Sequence, residues 1–371
     1  MTDFLSLANP GVRGLQPYQP GKPIEELERE YGVSNALKLA SNENPLGPSP
    51  LALAAARRAL PEVWLYPDGN GFRLKQKLAA RHGVPPEWIT LGNGSSDPLD
   101  FLVRVFVSPE NEVIFSAHSF ALYPILTQMA GARAVVVPAR EWGCDLEAMA
   151  AAVSERTAVV FIANPNNPTG TWLDGDSLEA FVRALPERVM VVIDEAYFEY
   201  ASHPATGAEG YPDATRWVAR YPNLVVTRTF SKCHGLAGLR VGYAVSRPEV
   251  AELMNRVRPP FNVNSVALAA AEAALDDRAH LQASVESNAA GLRQLTAGFR
   301  RLGLEVIPSV GNFISVDVGR EAGPVYEALL REGVIVRPVA NYGMPRHLRV
   351  TVGKSEHNDI MIRAMEKVLA Q

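Results

Sequence analysis

The middle of the chain alternates short apolar segments, rich in β-branched residues, with segments of helical pattern. The apolar segments carry hydrophobic side chains at consecutive positions, which indicates strands buried on both faces. Strands of this kind that alternate with helices predict an α/β fold with a mostly parallel, mixed sheet sandwiched by helices. The predicted strands are residues 89–91, 113–115, 134–137, 158–163, 189–193, 224–227 and 240–245.

The two ends of the chain have a different pattern. Long helices are predicted at residues 265–275 and 278–302, and a final helix at 355–369, with short strands at 305–307, 313–318, 334–337 and 348–352. This order predicts a second, smaller α/β domain. The first 40 residues are rich in Pro and Gly and are expected to form an arm that packs against it. The predicted division is an arm (1–40), a large domain (41–262) and a small C-terminal domain (263–371).

Composition and charge exclude several classes of protein. Hydrophobic residues make up 47% of the 371 residues, and the net charge of −4 leaves no broad basic surface for nucleic acid or an anionic membrane. No apolar run approaches the roughly 18 residues of a membrane helix, and the first residues lack the pattern of a secretory signal. Two cysteines without a CxxC pair are typical of a reducing cytoplasm, and seven histidines without ligand spacing predict no metal site. We therefore expect a cytoplasmic protein that binds neither nucleic acid nor membrane.

The loops that follow the predicted strands hold most of the unusual residues, and α/β sheets bind their ligands there. Residues 92–97 (GNGSSD) place glycines and the hydroxyls of Ser95 and Ser96 between a strand and a helix, which suits a phosphate. A Gly-rich turn with a serine N-cap explains the same residues equally well. Asp97 stands where GxGxxG has its third glycine, which weakens a dinucleotide-binding interpretation.

Three further loops carry groups that suit a flat ring. Phe120 offers an aromatic face after the second predicted strand, although an aromatic residue at helical spacing is usually part of the core. Residues 164–170 (NPNNPTG) contain more amide side chains, among them Asn167, than an ordinary turn requires. Asp194 ends a very apolar strand, where a carboxylate either pairs with a group such as a protonated ring nitrogen or caps a helix.

A lysine and an arginine follow the next apolar strand. Lys232 lies in a Gly-rich segment, where burial and nearby cations would lower its pKa and make the amine a nucleophile. Arg240 is suited to bind a phosphate through two of its nitrogens. Most lysines are solvated surface residues, so Lys232 taken alone also has that ordinary interpretation.

Together and in this order, these motifs resemble those of the fold-type I aminotransferases, which use pyridoxal 5′-phosphate (PLP). The resemblance is carried by NPNNPTG, by DEAY (194–197) and by SKxxGLAGLRxGY (231–243). LASNENPLGPS (39–49), YPDGNG (66–71) and LRVTVG (348–353) narrow the similarity to the histidinol-phosphate aminotransferase family. The resemblance extends from about residue 39 to residue 353 and implies the fold-type I architecture, with residues 41–262 as the PLP-binding domain.

The resemblance also implies roles for residues that would hold PLP. Lys232 would bind PLP covalently and later carry protons, and Asp194 would bond the pyridine nitrogen. Asn167 and Tyr197 would bind the phenolate oxygen of the ring, and Phe120 would stack on the ring where many relatives have tyrosine. The expected catalytic residues are Lys232, Asp194 and Tyr197, and the phosphate of PLP is expected to contact Ser95, Ser96, Ser231 and Arg240.

Substrate and partner contacts follow from the same resemblance. Tyr66 stands where the family sends a tyrosine to the phosphate in the partner subunit, which implies a homodimer with shared active sites. Arg349 corresponds to the C-terminal arginine that binds an anionic substrate group, and Arg337 is expected to be a second such cation. Tyr18 resembles an N-terminal tyrosine that helps to close the site, and Asn42 is expected near the imidazole of the substrate.

The reaction that the resemblance implies is transamination between histidinol phosphate and 2-oxoglutarate, which gives imidazole acetol phosphate and glutamate. Histidine biosynthesis would use the reverse direction. An aromatic amino acid aminotransferase is an alternative, because phenyl and imidazole rings are similar in size. A PLP-dependent decarboxylase of a phosphorylated amino acid is a second alternative. The missing GxGxxG near the start of the chain argues against an NAD-dependent oxidoreductase.

Overall fold

Helices cover three sheets in the computed structural model, which describes residues 2–18 and 20–370. Most helices between strands are amphipathic and bury one face against a sheet. The α-helices are α1 (Phe4–Leu7), α2 (Pro10–Arg13), α3 (Ile24–Tyr31), α4 (Pro50–Ala59), α5 (Phe72–His82), α6 (Ser96–Phe106), α7 (Leu122–Met129), α8 (Leu146–Ala151), α9 (Gly175–Ala184), α10 (Phe198–Ala201), α11 (Pro248–Val257), α12 (Ser265–Ala274), α13 (Arg278–Arg301), α14 (Ala322–Arg331) and α15 (Ser355–Leu369).

The strands form sheets of seven, four and two members. In chain order they are β1 (Leu37–Lys38), β2 (Ile89–Gly92), β3 (Glu112–Ser116), β4 (Arg133–Val137), β5 (Thr157–Ala163), β6 (Met190–Asp194), β7 (Leu224–Thr229), β8 (Gly242–Val245), β9 (Glu305–Ile307), β10 (Phe313–Asp317), β11 (Val334–Ile335), β12 (Arg337–Pro338) and β13 (His347–Thr351). The seven-stranded sheet has the order β2-β8-β7-β6-β5-β3-β4. Its strands are parallel except for β8, which runs antiparallel to both neighbours. The predicted α/β fold with a mostly parallel, mixed sheet is confirmed.

Both faces of the large sheet are buried, which explains the continuous apolar runs in the sequence. Along β6, Val191 and Ile193 point into one core, whereas Met190 and Val192 point into the core on the opposite face. Because side chains alternate along a strand, a segment that is hydrophobic at every position can serve two cores at once.

The smaller sheets lie in the C-terminal part of the chain. The four-stranded sheet is antiparallel, and its core includes side chains of α13, α14 and α15. The strand predicted at residues 334–337 is in fact two strands. β11 pairs in parallel with β1, while β12 pairs with β13 in the four-stranded sheet. Apolar pattern alone does not reveal this change of partner, because both halves are buried.

Packing at the ends of the chain bears on the predicted division into domains. Leu27 packs with Leu330 and Ile335, and Leu39 belongs to the core of the four-stranded sheet. The N-terminal segment therefore contacts the C-terminal part, as an arm would. α12 packs with α4 in a core of the large sheet, although the boundary at 262 assigns it to the small domain. The boundaries at 40 and 262 stay predictions.

No helix within residues 2–18 and 20–370 combines the length and apolar character needed to cross a membrane. The same residues contain no group of three or more His, Cys, Asp and Glu side chains placed to hold a metal ion.

Candidate active site

A cavity of about 140 Å³ opens at the carboxyl ends of β5, β6 and β7. This is the edge where parallel strands end and helices begin, so backbone amides and loop side chains converge on it. Most of its lining consists of residues that the sequence analysis singled out. The lining residues are Ser95, Ser96, Phe120, Ala163, Pro165, Asn167, Asp194, Ala196, Tyr197, Thr229, Ser231, Lys232 and Arg240.

Asp194 is a buried carboxylate at the end of β6. Its two oxygens accept hydrogen bonds from the Tyr123 hydroxyl and the Thr227 hydroxyl, each at 2.9 Å. Burial raises the pKa of Asp194, and the two hydrogen bonds and the charge of Lys232 oppose that rise. A carboxylate fixed in this way inside an apolar strand end is suited to pair with a cationic ring nitrogen.

Lys232 presents its amine to the same cavity. The Nζ atom donates a hydrogen bond to the backbone oxygen of Ser41 at 3.2 Å. Burial and then the charge of Arg349 lower the pKa of Lys232 from 10.5 to about 8, with a smaller contribution from Arg240. Glu43 and Asp194 act in the opposite direction. An amine with this pKa is neutral far more often near neutral pH than an ordinary lysine, which is what a nucleophile or a proton acceptor requires.

Tyr197 and Asn167 line the side of the cavity that faces the four-stranded sheet, where they contact Phe313 and Arg349. The Tyr197 hydroxyl accepts a hydrogen bond from Nδ2 of Asn42 at 2.9 Å, and Asn42 has a left-handed backbone with φ 57°. Burial raises the pKa of Tyr197 to about 12, so the phenol is a proton donor at neutral pH. Asn167 accepts a hydrogen bond from Nη1 of Arg349 at 2.6 Å.

Hydroxyls, a guanidinium and a helix start line one end of the cavity. Ser95 and Ser96 lie at the N-terminus of α6, where free backbone amides favour an anion. Nη1 of Arg240 donates to the Ser231 hydroxyl at 3.2 Å, and Nη2 donates to the Asn93 backbone oxygen at 3.4 Å. Ser95 makes no capping hydrogen bond within the described residues, which leaves its hydroxyl for a ligand. This donor set fits a phosphate.

Glycines allow this cradle to form. A Cβ atom at Gly94, where φ is +71°, would lie 2.5 Å from Nη2 of Arg240, and one at Gly242 would lie 2.4 Å from the Ser95 nitrogen. The prediction of a strand from residue 240 is wrong at its first residues. Arg240 has a left-handed backbone with φ 55°, and β8 begins only at Gly242. This backbone turns the guanidinium toward the α6 start instead of into the sheet.

A second cavity, of about 550 Å³, lies beside the first. Phe120 lines the first cavity and its neighbour Ala121 lines the second. Tyr18 and Arg337 line the second one, with the guanidinium of Arg337 5.5 Å from the centre of the Tyr18 ring. Arg337 is only 8% exposed, yet no carboxylate of the described residues pairs with it. A buried guanidinium without a carboxylate is suited to an anionic ligand.

Tyr66 lies away from both cavities of its own chain. Its side chain is 82% exposed and stacks on Phe261, with ring centroids 4.7 Å apart.

Comparison with known proteins identifies the family. The family model for class I and II aminotransferases matches residues 34–365. This chain belongs to the class I and II aminotransferase family. A solved structure of histidinol-phosphate aminotransferase from Sinorhizobium meliloti, in complex with pyridoxal-5′-phosphate, superposes with a TM-score of 0.90 at 32% identity and covers 98% of each chain.

Curated aminotransferases are also similar over the full length. Histidinol-phosphate aminotransferase 1 of Nitrosococcus oceani is 61% identical over 99% of this chain and 98% of its own. Histidinol-phosphate aminotransferase 2 of Pseudomonas aeruginosa is 59% identical over 100% of both chains. Aspartate aminotransferase from Thermus thermophilus has a TM-score of 0.83, covering 94% of this chain and 97% of its own, but is 24% identical and shows the fold alone. The fold-type I architecture expected from the sequence is confirmed.

The predicted site residues of this aminotransferase fall into three groups. One set lines the first cavity: Ser95, Ser96, Phe120, Asn167, Asp194, Tyr197, Ser231, Lys232 and Arg240. Asn42 and Arg349 reach that set indirectly, through hydrogen bonds to Tyr197 and Asn167. The remaining residues lie elsewhere, Tyr18 and Arg337 at the second cavity and Tyr66 on the surface.

Sequence reasoning missed two partners of Asp194. Tyr123 follows Phe120 by three residues, and although Phe120 precedes α7, the two rings meet edge to face with centroids 5.9 Å apart. This closeness in the sequence is a signal that could have found Tyr123. Thr227 gives no such signal. It is brought to Asp194 by the register of β6 and β7, which pairs these two residues directly.

Proposed function

We propose that this protein is a histidinol-phosphate aminotransferase that transfers an amino group between histidinol phosphate and 2-oxoglutarate. The products are imidazole acetol phosphate and glutamate, and histidine biosynthesis uses the reverse direction. The observation that carries the proposal is that Lys232, Asp194 and Arg240 line one cavity in a chain 61% identical to a histidinol-phosphate aminotransferase.

The cavity residues fit PLP. Asp194 would pair with the pyridine nitrogen, Asn167 and Tyr197 would bind the ring oxygen, and Phe120 would stack on the ring. The phosphate would contact Ser95, Ser96, Ser231 and Arg240, whose amides, hydroxyls and guanidinium are phosphate donors. When bound, PLP supplies an electron sink for the carbanion formed at the substrate Cα.

Lys232 would have two roles, to bind PLP covalently and to transfer a proton during the reaction. Its Nζ atom would hold PLP, and as a free amine it would take up the Cα proton of the substrate. A pKa of about 8 matches this role, since an acceptor works best when its pKa lies near the working pH. Asp194 would pair with the ring nitrogen of PLP and would stabilise its protonated form.

Two arginines would bind the anionic groups of both substrates. Arg337 is buried without a carboxylate partner, and Nε of Arg349 has no hydrogen-bond partner within the described residues. Guanidinium groups donate hydrogen bonds to a phosphate or a carboxylate with the same planar geometry, so the pair would serve histidinol phosphate and glutamate in turn. Tyr18 would cover Arg337 when the site closes, and Asn42, which donates to the Tyr197 hydroxyl, would contact the substrate ring.

A homodimer would complete the site. The segment around Tyr66 exposes large apolar side chains close together in the sequence, and monomers rarely leave such a surface uncovered. A second copy, related by a twofold axis, would cover this apolar surface. Tyr66 would then reach the phosphate of the PLP bound in that second copy. The exposed apolar residues are Leu60, Val63, Trp64, Leu65, Tyr66, Phe72 and Phe261.

We also propose that the protein is cytoplasmic and that the chain is divided into the three predicted parts. Cys144 and Cys233 are both free, which agrees with a reducing cytoplasm. The arm (1–40), the PLP-binding domain (41–262) and the small domain (263–371) would meet at the two cavities, since residues of all three line or contact them.

The test is an assay of the purified protein with PLP, histidinol phosphate and 2-oxoglutarate, in which glutamate is measured. We expect turnover that is lost in Lys232→Ala and kept in Lys354→Ala, where the changed lysine is exposed. A higher specificity constant for phenylalanine would instead indicate the aromatic aminotransferase. Release of carbon dioxide without a 2-oxo acid would indicate the decarboxylase.

A further inference from the structure

Tyr66 and Phe261 form a stacked pair of aromatic rings on the protein surface. Their ring centroids are 4.7 Å apart and their planes differ by 24°. Both rings remain open to solvent in the single chain, with Tyr66 82% exposed and Phe261 46% exposed. The pair comes from segments far apart in the sequence, so the stack is created by the fold.

Phe261 is held in a backbone conformation that bulky residues rarely adopt. Its φ is +54°, in the left-handed region. Strained backbone of this kind persists only where the surroundings impose it, and it is concentrated at functional sites. Gly69 makes room for the ring, because a Cβ atom there would lie 3.3 Å from Cδ1 of Phe261.

Hydrogen bonds fix the loop that carries Phe261 to two neighbouring segments. Nη1 of Arg258 donates to the Gly69 oxygen at 2.8 Å and to Oδ1 of Asn262 at 2.9 Å, which ties this loop to the turn after Tyr66. Nδ2 of Asn93 donates to the Asn262 oxygen at 2.5 Å. The Asn93 oxygen in turn accepts from Nη2 of Arg240. Phe261 is therefore held by the same strand end that forms the phosphate cradle of its own subunit.

We propose that Phe261 is a positioning residue that holds Tyr66 ready to bind the phosphate of PLP in the partner subunit. This inference rests on the proposed function, in which Tyr66 crosses the dimer interface. An exposed tyrosine loses rotamer freedom when its hydroxyl binds a ligand, and a ring already stacked in place loses less. The loop that carries Phe261 is bonded to Asn93, which also accepts a hydrogen bond from Arg240. Each subunit would therefore support its partner's cofactor from the loop that holds its own.

The experiment measures the dissociation constant of PLP from the apoprotein by titration, using the visible absorbance that PLP gains on binding. Phe261→Leu removes the ring and keeps apolar bulk, and we expect it to weaken PLP binding about three- to tenfold. Phe261→Tyr keeps the ring and should bind PLP like the parent protein. Phe261 belongs to the proposed dimer surface, and because leucine keeps an apolar contact there, sedimentation equilibrium of each apoprotein should give the same dimer affinity.

A second pair of variants separates this inference from the proposed function. Tyr66→Phe removes only the hydroxyl and should itself weaken PLP binding. In that background Phe261→Leu should add nothing, because the group that it positions is already gone. Three outcomes would overturn the positioning role and leave the shared site intact. Phe261→Leu could weaken PLP binding equally in both backgrounds, it could bind PLP like the parent protein, or its dimer could dissociate. Parent-like PLP binding by Tyr66→Phe overturns the shared site, and the inference fails with it.

Discussion

Arg337 and Arg349 lie directly opposite each other on the antiparallel strands β12 and β13. Opposed residues of an antiparallel pair project from the same face of the sheet, so two guanidinium groups share one side. Like charges placed in this way repel each other unless an anion lies between or beside them. Arg349 is held by Asn167 and by the Ala40 oxygen, whereas Arg337 contacts the ring of Tyr18. This arrangement agrees with the proposal that the pair binds the anionic groups of the substrates.

Replacing Arg337 should weaken substrate binding more than chemistry. We expect Arg337→Gln to raise the KM for histidinol phosphate about 10- to 100-fold, the usual effect of losing a hydrogen bond to a charged group, with a smaller change in kcat. Steady-state kinetics measure this directly. Arg346→Gln is the control, since Arg346 is exposed and pairs with Asp317. An unchanged KM in Arg337→Gln would remove Arg337 from the substrate site.

Removing the hydroxyl of Tyr123 should remove one of the two side-chain hydrogen bonds that hold the Asp194 carboxylate in place. The ring of Tyr123 stacks on Phe161 at 4.6 Å, so Tyr123→Phe keeps the packing and loses only the bond to Oδ2 of Asp194. One such bond to a carboxylate contributes about 1.5–3 kcal/mol, which corresponds to a fall in kcat/KM of about 13- to 160-fold. Tyr243→Phe is the matched control, because its hydroxyl contacts His82 and lies outside the cavity. Equal losses in the two variants would contradict a specific role for Tyr123.

The pH dependence of PLP attachment should report the pKa of Lys232. The neutral amine is the nucleophile, so the rate of PLP incorporation into the apoprotein should rise with pH and reach half its maximum near pH 8, the pKa of Lys232. Arg349 helps to lower this pKa, so Arg349→Gln should move the midpoint to higher pH. Arg337→Gln should leave it in place. A midpoint near 10.5 in the parent protein would show that Lys232 is an ordinary solvated lysine.

A methyl group at Gly94 should disturb the phosphate cradle. The new Cβ atom would lie 2.5 Å from Nη2 of Arg240, so we expect Gly94→Ala to weaken PLP binding about tenfold or more. Gly83→Ala is the control for backbone strain. Gly83 has a similar φ of +65°, and a Cβ there meets no described atom within 4 Å. It should lower the free energy of unfolding by about 1 kcal/mol and leave PLP affinity unchanged. Thermal unfolding and PLP titration of both variants provide the comparison.

Much of the cavity was predictable because its residues lie in loops that follow apolar strands. Asp194, Lys232 and Arg240 are conspicuous in the sequence, because a charged group beside a buried strand costs free energy unless it is paired. Arg337 was less visible. It falls within one apparent strand at 334–337, and only the tertiary structure divides that segment between two sheets and turns Arg337 toward Arg349.

The sequence by itself determined the α/β fold, the order of the strands along the chain and the chemical groups available at their ends, because these depend on local pattern and residue type. Tertiary structure decided which groups meet. The register of β6 and β7 brings Thr227 to Asp194, and the left-handed turn at Arg240 directs its guanidinium to Ser231. The stack of Phe261 on Tyr66 likewise depends on contacts between distant segments. Such contacts are set by packing and strand register, which a local pattern does not encode.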